Sequence, residues 1–248
     1  MYYVISAFLF VKPLVKFRNY PYFKIFRMKE KTIKQIYNET YWDIVHRSKF
    51  TFKKINTIYK LIKFKKGTLL DCGCGEGYLL RFFNEIGYKC YGFDLSEKAV
   101  KTTSGEGLTV IKGDLEEKIP FNKKFDIIIC SDILEHIYNI ESPIANMKSA
   151  LKEDGILVIS IPNDFTIFHR IKILFGIIYY EIYSSHLHYF TQKQFRKILK
   201  ENGLKIVKEK NISVNIPILN PILDVMANVL PKLFAQSYIF VTLKKVPS

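Results

Sequence analysis

Short apolar runs alternate with segments of helical periodicity along most of the chain. Runs of roughly four to eight apolar residues are typical of buried strands, and the unbroken run FDIIIC at 125–130 is expected where both faces of a strand are covered. Strands that alternate with helices indicate an α/β fold with a doubly wound, mostly parallel sheet and helices on both of its faces. The seven predicted strands are residues 67–72, 88–94, 108–114, 125–130, 156–162, 204–210 and 237–245.

Capping residues mark the predicted helices between these strands. Ser96 has the position of an N-cap, and Thr191 and Gln194 form a capping-box pattern. Proline is favoured at the first helical position, so the pair Ser142-Pro143 predicts a helix start, and Asp154-Gly155 predicts where that helix ends. The predicted helices are residues 29–65, 78–86, a short helix after Ser96, 142–154 and 191–202.

A glycine-rich turn follows the first predicted strand, in the sequence LLDCGCGEG at 69–77. No Lys-Ser or Lys-Thr pair follows, which excludes a phosphate-binding loop of the G-x-x-x-x-G-K-[ST] type. The dinucleotide fingerprint G-x-G-x-x-G requires a glycine at position 76 or 78, where the chain has Glu76 and Tyr78. Glu76 would also repel a pyrophosphate. The turn therefore suits a ligand without phosphate whose charged group favours a nearby carboxylate.

Acidic residues also end the strands that follow the turn. Asp94 lies about twenty residues beyond the turn, where a carboxylate can accept both hydroxyls of a ribose. Asp114 can accept an exocyclic amine while the adjacent Leu115 packs on a purine face. The fourth strand ends in SDILEH at 131–136. Because ligands bind at the carboxyl ends of strands in such sheets, these residues predict a nucleoside-binding cleft.

With these motifs the chain resembles class I S-adenosylmethionine-dependent methyltransferases, whose fold is Rossmann-like. The resemblance is strong over residues 67–163 and continues through 186–206, and the segments 170–176 and 230–241 resemble a subgroup that often acts on lipids, quinones or sugars. The matching motifs are LLDCGCGEG (69–77), GFD (92–94), GDL (113–115), FDIIICSDILEHI (125–137) and LKEDGILVISIPN (151–163).

The resemblance implies S-adenosylmethionine as the cofactor and gives each strand end a role in binding it. The amides of the glycine turn would approach the methionine part, and the later strand ends would hold the ribose, the adenine and the path to the sulfonium. The implied residues are Asp71, Gly73, Cys74, Gly75 and Gly77 for the methionine part, Asp94 and Leu95 for the ribose, Asp114 and Leu115 for the adenine, and Ser131 and Ile133 for the sulfonium path.

The implied reaction is an in-line displacement at a methyl group, in which the protein mainly aligns the acceptor and excludes water. A general base helps only where the acceptor must lose a proton. The candidates are His136, His186 and His188, with His136 first because it follows the fourth strand. No metal site is expected, because His186 and His188 lack an evident third ligand and the four cysteines form no C-x-x-C pair. Buried free thiols are expected instead.

Charge and composition divide the chain into a basic N-terminal extension and a larger domain. The net charge of +15 is made up of +13 in residues 1–66, −6 in 67–164 and +8 in 165–248. We interpret 1–66 as a helical cap and 67–248 as the methyltransferase domain, with an insertion at 164–185 after the fifth strand. Residues 165–183 are apolar and aromatic, which predicts a lid packed on the domain or, alternatively, a lid that binds an apolar substrate or rests on a membrane surface.

The sequence thus predicts methyl transfer to a small-molecule acceptor, either lipid- or quinone-like or a sugar, in the cytoplasm. Peripheral membrane contact through the basic flanks is compatible with this prediction, and the sequence does not set the oligomeric state. Two competing hypotheses are an RNA or protein methyltransferase and a non-catalytic binding module with the same fold. Nucleic acid is favoured only by the net charge and disfavoured by the lack of a [DNS]-P-P-[YFW] motif after the fourth strand.

Overall fold

A computed structural model describes residues 49–176, 186–214 and 218–245 of the chain. Seven strands form one sheet at its centre: β1 Thr68–Cys72, β2 Lys89–Asp94, β3 Thr109–Lys112, β4 Phe125–Ser131, β5 Leu151–Pro162, β6 Leu204–Ser213 and β7 Ala235–Lys244. Their order in the sheet is β3-β2-β1-β4-β5-β7-β6. Strands β1 to β5 pair in parallel, and β7 runs antiparallel between β5 and β6. The predicted fold class is confirmed.

Helices cover both faces of this sheet because successive strand residues point to opposite sides. In β1, Leu69 belongs to one buried cluster and Leu70 to the other. The helices are α1 Lys49–Ile62, α2 Tyr78–Glu85, α3 Glu97–Ser104, α4 Glu141–Ala150, α5 Ile167–Leu174, α6 Gln192–Glu201, α7 Asn220–Val229 and α8 Pro231–Phe234. The cluster around Leu69 includes residues of α1 and α2, and the cluster around Leu70 includes residues of α4 and α6.

Helix α1 is the described part of the predicted N-terminal cap. Ile55, Ile58 and Ile62 lie one turn or so apart and are buried against the sheet, so the apolar stripe of this helix belongs to the domain core. Lys53 on the same helix donates to Asp224 of α7 over 2.7 Å. The rest of the predicted cap, residues 1–48, lies outside the described residues, and the division at residue 66 stays a prediction.

Several predicted boundaries were wrong by a few residues. The helix predicted from the Ser142-Pro143 pair to 154 begins at Glu141 and ends at Ala150, because Leu151 pairs with Phe125 and its chain continues as β5. Strand β3 ends at Lys112, two residues before the predicted end at Asp114. Helices α7 and α8 were not predicted. The N-cap at Ser96 and the capping box of Thr191 and Gln194 are confirmed.

The insertion after β5 is described as far as Gly176. Thr166 caps α5 by accepting from the amide of His169, and no residue of this helix is buried. Residues 177–185 of the predicted insertion lie outside the described part of the chain. Among the described helices, none combines the length and apolarity that a membrane span requires.

Candidate functional site

An open cleft lies at the carboxyl edge of the parallel strands, where the chain reverses its strand order between β1 and β4. The empty space in and around it is about 620 Å³, a volume that includes open solvent. Turns that follow β1, β2, β3 and β4 contribute its walls, which is where the sequence predicted a nucleoside. The lining residues are Gly73, Phe93, Asp94, Leu95, Gly113, Asp114, Leu115, Glu116, Ile133, His136 and Ile137.

The glycine turn directs most of its amides into the protein. The amides of Gly73 and Cys74 both donate to the carbonyl of Phe93, over 2.9 and 3.0 Å, and the amide of Gly77 donates to the carbonyl of Cys74 over 2.9 Å. The amide of Gly75 donates to the Asp94 carboxylate over 2.8 Å. Each of these four amides thus has an acceptor within the protein, and the approach of the amides of the 73–77 turn to the ligand stays a prediction.

Gly73 is the residue of the turn that lines the cleft. Its φ angle of 75° lies in the left-handed region. A Cβ atom added there would lie 2.4 Å from Cδ1 of Ile133, across the cleft floor. Because Gly73 has no side chain, the backbone of the turn can pass directly over Ile133 and the cleft stays open beside this contact.

Asp94 is the acidic residue that ends β2 inside the cleft. Its side chain is buried, and its two carboxylate oxygens accept from the amides of Gly75 and Ser96, each over 2.8 Å. Burial raises the pKa of Asp94, and the two amide hydrogen bonds oppose that rise. Each oxygen keeps a further lone pair, so this carboxylate is held in a fixed orientation and can still accept from a ligand hydroxyl.

Asp71 lies below the cleft floor at the end of β1 and does not line the cleft. Burial, with the nearby Asp94 carboxylate as a second cause, raises the pKa of Asp71 to about 8. Two acids this close favour a positive charge between or beside them, because it would stabilise the ionised forms of both. A ligand ammonium near the glycine turn would supply that charge.

The turn after β3 forms another wall of the cleft. Asp114, Leu115 and Glu116 all line the cleft there, and the amide of Glu116 donates to the Asp114 carboxylate over 3.0 Å. Leu115 is buried in the core cluster of that face, which gives this wall an apolar base. Sequence reasoning missed Glu116, although it directly follows two predicted residues, and it also missed Phe93, Gly113 and Ile137.

The turn after β4 begins with an unusual backbone conformation at Asp132. Its φ angle is 54°, the only positive value at a non-glycine residue in the described ranges. Lys54 of α1 forms an ion pair with its carboxylate, and Ser160 donates to it over 3.0 Å. Ser131, predicted at the sulfonium path, shares a hydrogen bond of 2.8 Å with Ser160 and does not line the cleft, whereas Ile133 does.

The three predicted histidines have different surroundings. His136 lines the cleft and lies beside His186, with a distance of 4.8 Å between the ring centroids. His188 is separate from them: its Nε2 lies 3.1 Å from the carbonyl of Tyr138, and its ring stacks on Phe190. The structure thus brings two of the three predicted histidines together, at the part of the cleft that His136 lines.

None of the four cysteines is among the residues that line the cleft, and cofactor binding by Cys74 stays a prediction. Cys72, Cys74, Cys90 and Cys130 are all buried free thiols, as predicted. Cys72 and Cys130 are paired residues on the neighbouring strands β1 and β4. Burial raises the pKa of both thiols, so neither is a nucleophile at neutral pH.

Comparison with known families gives a match over most of the chain. The sequence profile of the family described as "Methyltransferase domain" matches residues 44–209. The chain is 27% identical over 176 residues to the ubiquinone biosynthesis O-methyltransferase of Rickettsia prowazekii, which covers 68% of this chain and 66% of the relative. It is 28% identical over 123 residues to the protein of the same name in Rickettsia canadensis, covering 47% of this chain and 51% of the relative. The chain thus spans about half to two thirds of the length of these relatives.

Solved structures share the same fold. Magnesium protoporphyrin IX methyltransferase from Synechocystis, with bound S-adenosylhomocysteine, superposes with a TM-score of 0.65 at 18% identity, covering 86% of this chain and 98% of the other. An S-adenosylmethionine-dependent methyltransferase from Archaeoglobus fulgidus superposes with a TM-score of 0.59 at 22% identity, covering 80% and 96%. At these identities the superpositions establish the architecture, and the profile match carries the assignment to a family.

Proposed function

Because the chain belongs to the methyltransferase domain family through residues 44–209, we propose that it transfers the methyl group of S-adenosylmethionine to a hydroxyl of a small, quinone-like acceptor. The observation that carries the proposal is the cleft at the carboxyl edge, with Asp94 fixed by two amides and apolar walls beside it. The relatives named as ubiquinone biosynthesis O-methyltransferases favour a hydroxyl on a quinone-like ring as the acceptor.

The residues of the cleft fit the chemical groups of this cofactor. Asp94 would accept from the ribose hydroxyls with its remaining lone pairs, and Asp114 would accept from the adenine amine. Phe93, Leu115 and Ile137 supply apolar surface for the adenine ring. Asp71 would act through charge, since a ligand ammonium would favour its ionised form. The bound cofactor would supply an activated methyl group.

The contribution of the protein to the reaction is alignment and control of one proton. Gly73 and Ile133 approach each other closely in the lining of the cleft, and this close packing would help to hold the acceptor oxygen in line and to exclude water. A hydroxyl acceptor must also lose its proton, and the cluster of Glu135, His136 and His186 lies on that side of the cleft. His188 lies apart from this cluster, with its Nε2 beside the Tyr138 carbonyl and its ring stacked on Phe190.

Access of an apolar acceptor is the reason to propose membrane contact as well. Helix α5 exposes Leu174 and the following Phe175 by 80% and 74%, and α7 exposes Val229 by 70%. Asn163, before α5, donates to the carbonyl of Ala235 just after α8, so the start of the first apolar segment lies near the end of the second. Arg170 and Lys172 on α5 would face anionic headgroups. This surface would let the protein take a lipid-soluble acceptor from a membrane.

The cofactor assignment is tested by calorimetry with S-adenosylmethionine and S-adenosylhomocysteine. We expect the full chain to bind both, and we expect Asp94→Ala to weaken both by at least tenfold, because two charge-assisted hydrogen bonds to the ribose are lost. Asp154→Ala is the matched control, since Asp154 is an exposed carboxylate bound to Lys65 outside the cleft. A folded protein that releases no heat with either ligand would refute the proposal.

A further inference from the structure

The turn after β4 begins with a residue whose backbone conformation is unfavourable. The φ angle of 54° at Asp132 lies in the left-handed region, which a residue with a side chain adopts at a cost in free energy. Such a conformation persists only where the surrounding structure holds it, and residues of this kind cluster at functional sites. Part of the restraint comes from the main chain, because the amide of Asp132 donates to the Ser160 carbonyl over 3.1 Å. The remaining restraints act on the side chain of Asp132.

Both carboxylate oxygens of Asp132 have a partner. Oδ1 accepts from the Ser160 hydroxyl over 3.0 Å, and Oδ2 forms an ion pair with the Lys54 ammonium. Ser160 lies on the neighbouring strand β5, and its hydroxyl also shares a hydrogen bond of 2.8 Å with that of Ser131. Lys54 comes from α1, 78 positions earlier in the chain. The conformation of Asp132 thus depends on a residue that lies outside the sheet.

Lys54 is itself fixed in position. Its side chain is only 8% exposed, and Ile55 and Ile58 of the same helix are buried in the core, so packing determines where the ammonium lies. Burial of an ammonium has a desolvation cost that an ion pair recovers only in part, and apolar residues in place of both partners are often neutral or stabilising. A gain in stability therefore explains this ion pair poorly, and the conformation that it gives to Asp132 explains it better.

The residues that follow Asp132 carry its conformation into the cleft. Ile133 and His136 line the cleft, and the amide of His136 donates to the Ile133 carbonyl over 3.0 Å within the short 3₁₀ turn. The Glu135 carbonyl of the same turn accepts from the amide of Leu187 over 2.7 Å, so the turn also holds the segment that leads to α6. A change of backbone angle at Asp132 would therefore move two side chains of the cleft lining.

We propose that Lys54 is a positioning residue for methyl transfer: its ion pair with Asp132 holds the turn of residues 132–137 so that Ile133 and His136 lie along the cleft. Lys54 is not among the residues that line the cleft, so it acts through Asp132 and not on a ligand. The link to catalysis rests on the proposed function, in which the acceptor is aligned in this part of the cleft. Helix α1 thereby contributes to the reaction as well as to the core.

Amide hydrogen exchange of the full chain tests the effect of Lys54 on the turn without any ligand. Lys54→Met removes the ammonium and leaves the Asp132 carboxylate without its cation, so the amides of Asp132 and His136 should exchange faster by about tenfold or more. Lys53→Met is the matched control, because Lys53 precedes Lys54 on α1 and forms its ion pair with Asp224 of α7 over 2.7 Å. This control should leave the exchange of the turn unchanged.

Glycine at position 132 separates a role through Asp132 from a general loss of stability. Glycine adopts a φ angle of 54° without strain, so Asp132→Gly removes the need for a restraint. In that background Lys54→Met should not change the exchange of His136, whereas a general loss of stability would speed it in both backgrounds. Urea unfolding establishes that each variant is folded, and Lys54→Gln takes the place of Lys54→Met if the latter does not fold.

Methyl transfer tests the link to catalysis, with S-adenosylmethionine radiolabelled in its methyl group and catechol as the soluble acceptor. Lys54→Met should lower kcat by about tenfold or more, because the acceptor is no longer aligned. The KM for S-adenosylmethionine should change little, since Asp94 and Asp114 belong to other turns of the cleft. Lys53→Met should keep the kcat of the wild type.

Three results would overturn the positioning role: unchanged exchange of the turn in Lys54→Met, the same changes in Lys53→Met, or an unchanged kcat in Lys54→Met. The proposed function fails by a different result. A wild type that methylates no catechol and binds no S-adenosylhomocysteine contradicts the proposed function, and the exchange measurements then determine by themselves whether Lys54 holds the turn.

Discussion

Replacing Gly73 by alanine tests whether the glycine turn is set by close approach to Ile133. The φ angle of 75° at Gly73 costs an alanine about 1 to 2 kcal/mol. The new Cβ would also lie 2.4 Å from Cδ1 and 2.9 Å from Cγ1 of Ile133, and an overpacked contact of this kind costs about 1 to 3 kcal/mol. We therefore expect Gly73→Ala to lower the free energy of unfolding by about 2 to 5 kcal/mol.

Gly87→Ala provides a control that separates the two contributions. Gly87 has a φ angle of 86°, and a Cβ there would meet no atom within 4 Å, so this variant should show the backbone cost alone. Urea unfolding of the wild type and both single variants gives the free energy of unfolding of each, and the larger loss in Gly73→Ala measures the contact with Ile133. Adding Ile133→Ala to Gly73→Ala removes both contacting carbons and should recover part of the loss in a double-mutant cycle.

The cofactor provides a second measure of the same contact. If the Ile133 side chain rotates to make room, it enters the cleft that it lines, and S-adenosylhomocysteine should bind more weakly to Gly73→Ala. The reasoning is refuted if Gly73→Ala is no more destabilised than Gly87→Ala and also binds the ligand with unchanged affinity. Either effect by itself would support steric contact at Ile133.

Two further predictions concern charge and the exposed apolar surface. Burial raises the pKa of Asp71 from 3.8 to about 8, so its neutral form stabilises the folded state, and this contribution should be full below about pH 4 and lost as the pH rises to about 8. Urea unfolding between pH 5 and pH 8 should show a steeper decline for the wild type than for Asp71→Asn, and equal slopes would contradict this cause. Leu174→Glu should reduce co-sedimentation with vesicles that contain anionic phospholipid, whereas Phe64→Glu, at a side chain 61% exposed on another part of the surface, should not. Equal effects of the two changes would contradict a specific surface at α5.

Local signals in the sequence determined the elements and the edge of the sheet where the cleft lies. Ser96 and Thr191 cap their helices because a side-chain oxygen near a helix start reaches the amide three residues on, whatever the rest of the chain does. The FDIIIC run became the central strand β4 because both of its faces are covered. Since parallel strands share one carboxyl edge, Asp94 and Asp114 were also predictable as neighbours of one cleft.

Contacts between distant parts of the chain determined where the helix after Glu141 ends and which acceptors the amides of the glycine turn have. The helix after Glu141 stops at Ala150 because Leu151 pairs with Phe125, and no residue near position 150 signals that pairing. The amides of the glycine turn point inward because Phe93 and Asp94, on the next strand, offer acceptors.

The tertiary structure also determines which side chains lie beside His186. The sequence pairs it with its neighbour His188, whereas the fold places it beside Glu135 and His136, some fifty residues earlier in the chain. Periodicity and capping depend on residues a few positions apart and can be read along the chain. Which side chains share a buried site depends on how strands and turns are brought together, and that is set by burial of the whole core.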